Sequence, residues 1–202
     1  LAVVLPDHGT PRQFLRARGV AVLTVDHDSV DGILDSIRAI ADACGVPERA
    51  EPLIRALRGR IEAVAEATRN RPEPRVLIVV GRDMDAATVR DVYVAGDAGW
   101  YTDLIDLAGG RNAYEGDLAF PSISAEGVLS INPDVIVEMV GDMLPAERET
   151  DRLVKAWRRL PQVSAVAEGR VHLFRDEFVV VPGPRFVRTL EKLAAVLHPA
   201  AD

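Results

Sequence analysis

Hydrophobic positions fall into two patterns along this chain: short continuous runs rich in β-branched residues, and longer stretches with apolar residues three and four apart. The first reads as buried strand and the second as amphipathic helix. Residues 2–5 (AVVL) make a strand. A helix follows, with Thr10 as cap, Pro11 in the first helical position and Gly19 past the last turn. Residues 20–25 (VAVLTV) are a second buried strand, so the chain opens as βαβ with its strands parallel. Ser29 caps a helix with Ile33, Leu34, Ile37, Ile40 and Ala41 inward, and Gly45 stops it. The next helix, 47–69, carries Ala50, Leu53, Ile54, Leu57, Ile61, Val64, Ala65 and Thr68 on one stripe, with arginines and glutamates opposite. Unbroken it is about 33 Å long at 1.5 Å per residue. The polar, proline-bearing break at 70–74 then suits a connector between two lobes.

A second α/β unit begins at once with a strand at 75–81, a loop carrying Asp83 and Asp85, a strand at 92–95 and a helix at 99–108 ended by Gly109 and Gly110. The stretch FPSISAEGVLSINPDVIV (120–137) is the densest in local signals. Ser122 or Ser124 caps a short helix, Glu126 lies in its first turn near the unpaired amides, and Asn132-Pro133 stops it. The β-branched run from Val135 is a buried strand. An acidic loop after Val140, a helix at 147–159, a helical turn at 163–167, a strand at 170–174 and a closing helix at 184–197 complete the chain. This alternation predicts a parallel or mixed sheet covered on both faces.

Composition narrows the function classes. A net charge of −7 without a basic stripe excludes a nucleic-acid surface. No apolar run reaches the 18–20 or so residues that span a bilayer, and no signal peptide stands ahead of Leu1. A buried strand starting at residue 2 without a polar lead-in reads as the start of a fragment. The one cysteine, Cys44, lies on the apolar end of a helix and is expected to be buried.

Catalytic motifs are absent: there is no Walker loop, G-x-G-x-x-G, G-x-S-x-G or H-E-x-x-H. His8, His27, His172 and His198 are scattered, although His8 and His27 both follow strand ends. Asp83, Asp85, Asp91 and Asp97 are irregularly spaced. No catalytic residue and no metal site is therefore assigned. Only ten residues are Phe, Trp or Tyr. Trp100, Phe120 and Phe178 sit in loops or at helix starts, where they either face a ligand crevice or pack their own core. Tyr93, Phe174 and Phe186 are expected in the core. Arg185, in PGPR, is a cation for the crevice or a surface ion pair. Glu126 by itself does no more than serve the helix dipole.

In order, VYVAGDAGWYTDLIDLAGGRNAY, FPSISAEGVLSINPDVIV, W-x-x-L-P-Q-V-S-A-V-A-E-G-R-V-H from Trp157, and PGPR resemble the class III periplasmic binding proteins of ABC importers, which carry cobalamin, haem or ferric siderophores. The resemblance covers essentially the whole chain. It implies an α/β fold of two parallel or mixed-sheet lobes with flanking helices, joined by one long interlobe helix. The divisions are 1–46 for an incomplete N-terminal lobe, 47–71 for the helix and 72–202 for the C-terminal lobe. Glu126 matches the C-terminal-lobe glutamate that docks on the permease dimer; its N-terminal counterpart would precede Leu1. Phe120 matches a crevice aromatic of cobalamin-binding members, Trp100 and Phe178 lie in pocket-lining regions, and Asn112 matches a recurrent, structural position.

The implied protein is extracytoplasmic, reaching the membrane through the permease or a lipid anchor lost with the N-terminus. It has no intrinsic cofactor, carries a metal chelate as cargo and makes or breaks no bond. Two rival readings are a chelatase-like, tetrapyrrole- or metal-handling enzyme in the same crevice, and a non-catalytic interaction domain, or truncated chain, that pairs an exposed sheet edge with another copy.

Overall fold

The computed structural model describes residues 1–6, 9–83, 88–141 and 147–199, the side chains of 147–150 excepted. His8, Asp85 and most of the acidic loop after Val140 lie outside the described residues.

The chain opens with β1 (Ala2–Val4), α1 (Gly9–Ala17) and β2 (Val22–Thr24), and β1 pairs parallel with β2 in a two-stranded sheet. Helix α2 (Val30–Ala43) starts as its sequence prescribes: Ser29 is extended and its Oγ accepts from the Gly32 N–H at 3.0 Å. A 3₁₀ turn at Pro47–Arg49 leads into α3 (Ala50–Thr68), whose 19 residues reach about 28 Å. Pro52 sits in its first turn, where no intrahelical N–H is lost.

The second half is built on β3 (Arg75–Gly81), β4 (Val92–Val94), α4 (Trp100–Leu107), β5 (Arg111–Asn112), β6 (Ser122–Ile123), α5 (Ala125–Ile131) and β7 (Val135–Met139). Then come α6 (Glu147–Trp157), α7 (Ser164–Ala167), β8 (Val171–Phe174), a 3₁₀ turn at Glu177–Val180 and α8 (Phe186–Leu197). Among the described residues these strands form one six-stranded sheet in the order β6-β4-β3-β7-β8, with β5 beside the start of β3. β3, β7 and β8 run parallel, whereas β4 and β6 join antiparallel, so the sheet is mixed.

Two of the inner strands, β3 and β7, face two cores. Val76 and Ile78 of β3, with Val135, Val137 and Met139 of β7, pack against α2, α3, α4 and α8. Leu77, Val79 and Ile136 face Val92, Val94, Val128, Trp157 and Val163. Covering both faces is why these runs are continuously apolar. At about 1.5–3 kcal/mol for each fully buried large aliphatic side chain, this sandwich supplies most of the hydrophobic stabilisation.

Two expectations need correction. Cys44 is exposed, because it is the C-cap of α2 and the chain reverses at Gly45 (φ 71°) with the thiol on the outside of the turn. Tyr93 is 49% exposed: Val92 and Val94 take the core side of β4, and strand alternation sends Tyr93 the other way. Phe174 and Phe186 are buried as expected.

Candidate functional site

Tyr93 registers with Gly81, the last residue of β3. The β4 ribbon therefore begins at the carboxyl end of the parallel strands, the end at which open α/β sheets bind ligands. Phe120 belongs to the loop that feeds β6 and is 51% exposed. That loop lies against the chain after β4: the Val94 N–H donates to Pro121 O at 3.0 Å and the Gly96 N–H to Ala119 O at 2.9 Å. A Cβ on Gly96 would lie 1.7 Å from Leu118 O, so only glycine lets the two segments approach this closely. Asn112, buried at the end of β5, donates to Ala95 O, Gly96 O and Thr102 Oγ1 and accepts from the Tyr114 N–H. This clamp holds the turn between β4 and α4.

Trp100 starts α4 directly after Gly99, whose φ of 132° suits glycine alone. Trp100 is buried and stacked on Tyr101, with ring centroids 4.2 Å apart. Phe178 is also buried, in the same core cluster, and the Tyr101 hydroxyl donates to Val179 O at 2.8 Å. Burial pushes the Tyr101 phenol well above its usual range. The structure thus brings Trp100 and Phe178 together in the core, while Phe120 stands outside it. Arg185 forms an ion pair with Glu177, both half exposed, and Arg188 lies 5.5 Å above the Phe178 ring.

Glu126 is exposed in the first turn of α5, and the Oγ of Ser124 accepts from the Gly127 N–H at 3.2 Å. A hydrogen bond from the Ser124 hydroxyl, and then its own backbone N–H, hold the Glu126 carboxyl below the usual range. A shallow groove of about 330 Å³ runs beside it, lined by Val89, Arg90, Asp91 and residues 122–126. A larger groove of about 420 Å³ lies among α2, α3 and α4, where Asp103 Oδ2 accepts from the Val30 N–H at 2.7 Å. Among the described residues no three His, Cys, Asp or Glu side chains gather as metal ligands, and no helix is long and apolar enough to cross a membrane.

One buried polar constellation escaped sequence reasoning. Glu138, within β7, receives Arg82 Nε at 2.8 Å and Trp157 Nε1 at 2.9 Å, and Arg82 Nη2 also donates to Leu153 O. The Arg82 and Glu138 side chains are 0% and 3% exposed. The only sequence signal was an acid extending an otherwise apolar strand.

Comparison with known proteins gives a consistent result. Residues 7–177 match the family described as periplasmic binding protein. The chain is 25% identical over 189 residues to an uncharacterised ABC transporter substrate-binding lipoprotein of Bacillus subtilis, covering 92% of this chain and 56% of that one. It is 27% identical over 191 residues to a cobalamin-binding protein of Halobacterium salinarum, covering 91% and 49%. The chain thus spans about half the length of these curated relatives. Among solved structures, a periplasmic heme-binding protein from Pseudomonas aeruginosa superposes with a TM-score of 0.80 at 25% identity, over 99% of this chain and 72% of that one. The vitamin B12-binding protein of Vibrio cholerae shares the fold, with a TM-score of 0.75 at 20% identity over 96% and 72%.

Proposed function

From the premise that this chain belongs to the periplasmic binding protein family, we propose that it is the extracytoplasmic solute-binding component of an ABC importer, with a metal chelate as cargo: haem, a corrinoid or a ferric siderophore. The observation that carries this reading is the family match over residues 7–177, together with relatives and structural neighbours named for cobalamin and heme. The chain's role is binding rather than chemistry. Phe120 is the exposed ligand-facing aromatic. Trp100 and Phe178 support the pocket from beneath, and Arg185, partnered by Glu177, supplies the cation at its rim.

Glu126 is the docking carboxylate. It is exposed and held ionised, so it is available to arginines of a permease. Helix α3 packs along both α2 and α8, which makes the connector stiff and favours small lobe movement. Release then depends on the transporter engaging the lobes. The protein is placed outside the cytoplasm and held at the membrane by its permease or a lipid anchor, in keeping with the relative named a lipoprotein.

Titration with hemin, cyanocobalamin and a ferric siderophore, followed by tryptophan fluorescence and cargo absorbance, tests the reading. Saturable binding of one class is the expected result, and no binding of any overturns it. Glu126→Ala should leave that affinity nearly unchanged while weakening association with the cognate permease. A large loss of cargo affinity would remove Glu126 from the docking role.

A further inference from the structure

We propose that α1 (Gly9–Ala17), with the Arg18 that follows it, is a membrane-facing patch that lies against an anionic phospholipid surface. It goes beyond the solute-binding reading and is independent of it, since contact with lipid needs no cargo.

Its charge runs against that of the molecule. The whole chain carries −7, yet residues 9–18 hold Arg12, Arg16 and Arg18 and no acid. Among the described residues none of these three arginines forms an ion pair. On α3, by contrast, Arg58 meets Asp31 and Arg60 meets Glu191. A cation with no local carboxylate keeps its field for an external anion. Three arginines on one short helix make no nucleic-acid footprint, but they are enough to engage a layer of anionic headgroups.

The apolar part of the patch also faces outward. Helix α1 is regular but buries no residue. Gly9, Arg12 and Leu15, three apart, are half-buried and mark its inner side, while Thr10, Gln13, Phe14 and Ala17 are exposed. Phe14 is 54% exposed, and the Arg18 guanidinium lies 3.5 Å from the centre of its ring. The ring can enter the headgroup boundary while its cation stays at the polar level, the arrangement that interfacial helices use. Arg12 and Arg16 stand one turn apart beside it. With a single ring to insert, α1 binds more weakly than a myristoyl chain, whose constant is about 10⁴ M⁻¹. It therefore orients a protein already held at a membrane rather than recruiting a free one, turning α1 to the lipid and the negative remainder away.

Co-sedimentation of the 202-residue chain with vesicles tests this. Binding to vesicles of equal parts phosphatidylglycerol and phosphatidylcholine should exceed binding to pure phosphatidylcholine by about tenfold or more. It should be lost at about 1 M salt, where the Debye length is about 3 Å. Arg12→Gln combined with Arg16→Gln should weaken it about ten- to thirtyfold. Arg158→Gln combined with Arg159→Gln makes the same change in net charge at exposed positions elsewhere and should stay within about twofold of the parent. Phe14→Ala, at a position where the fold is retained, should weaken binding about three- to tenfold. Equal binding to both vesicle types, sedimentation with neither, equal losses from the two arginine pairs, or parent-like binding by Phe14→Ala overturns the proposal. A chain that sediments without vesicles overturns it in favour of contact between copies. Each of these outcomes leaves the solute-binding reading to its own cargo titration.

Discussion

The molecule contains two parallel strand pairs with nearly the same sequence signature and very different surroundings. β1 and β2 (AVV and VLT) pair in register, yet of their residues only Val4 is buried. β3 and β7 (RVLIVVG and VIVEM) also pair parallel, and every residue of β7 is buried. Helix α1, amphipathic in sequence, buries none of its residues, and Phe14 is 54% exposed. Helices α4 and α8, with similar apolar spacing, close the large core through Leu104, Ile105, Phe186 and Leu190. A β-branched run thus specifies a strand, while its stability is set by what covers its two faces.

The largest expected effect is at the buried network. Glu138→Ala leaves Arg82 uncompensated in the core and should cost about 3–5 kcal/mol in chemical denaturation. A loss below about 1 kcal/mol would mean that the pair is not sealed from water. Next, Leu104→Ala should cost about 2–5 kcal/mol. Phe14→Ala should stay near 0.5 kcal/mol or less, since its ring contributes an exposed contact with Arg18. Equal losses at the two positions would erase the contrast between the halves. Removing the cap in Ser29→Ala should cost about 1 kcal/mol, because α2 belongs to the large core even though it follows the small sheet.

The smallest effect is a pH dependence. Burial, and then Arg170, hold His172 below its usual pKa, and among the described residues its buried Nε2 has no hydrogen-bond partner. The unfolded chain therefore takes up the proton first. Stability should be unaffected above the ordinary histidine range and fall as pH drops through about 6.5 toward the lower folded value. His172→Gln should flatten that decline in thermal melts between pH 7.5 and 5; an unchanged slope would clear His172 of the effect.

Much of the fold was legible. The caps at Ser29 and Ser124, the stop at Asn132 (φ 46°), the strand at Arg75–Gly81 and the long helix α3 all follow from residues within a few positions of one another. The candidate site was legible only in part. Phe120 could be singled out as an aromatic before proline in a loop, but Tyr93 read as core, because a valine on each side resembles a fully buried strand. Its exposure depends on its place at the end of the sheet, opposite Gly81; Ala95, on the same face two residues on, is buried in the large core. Glu138 and Arg82 are 56 residues apart, and no local pattern pairs them.

By itself, then, the sequence determined where helices and strands begin and end, because capping, proline geometry and side-chain periodicity act over a single turn or pleat. It also carried the family, through motifs kept in order. The tertiary structure alone decided which apolar residues are covered, which charge meets which partner and which aromatics stay exposed. Burial and pairing depend on segments that meet only after the chain has folded.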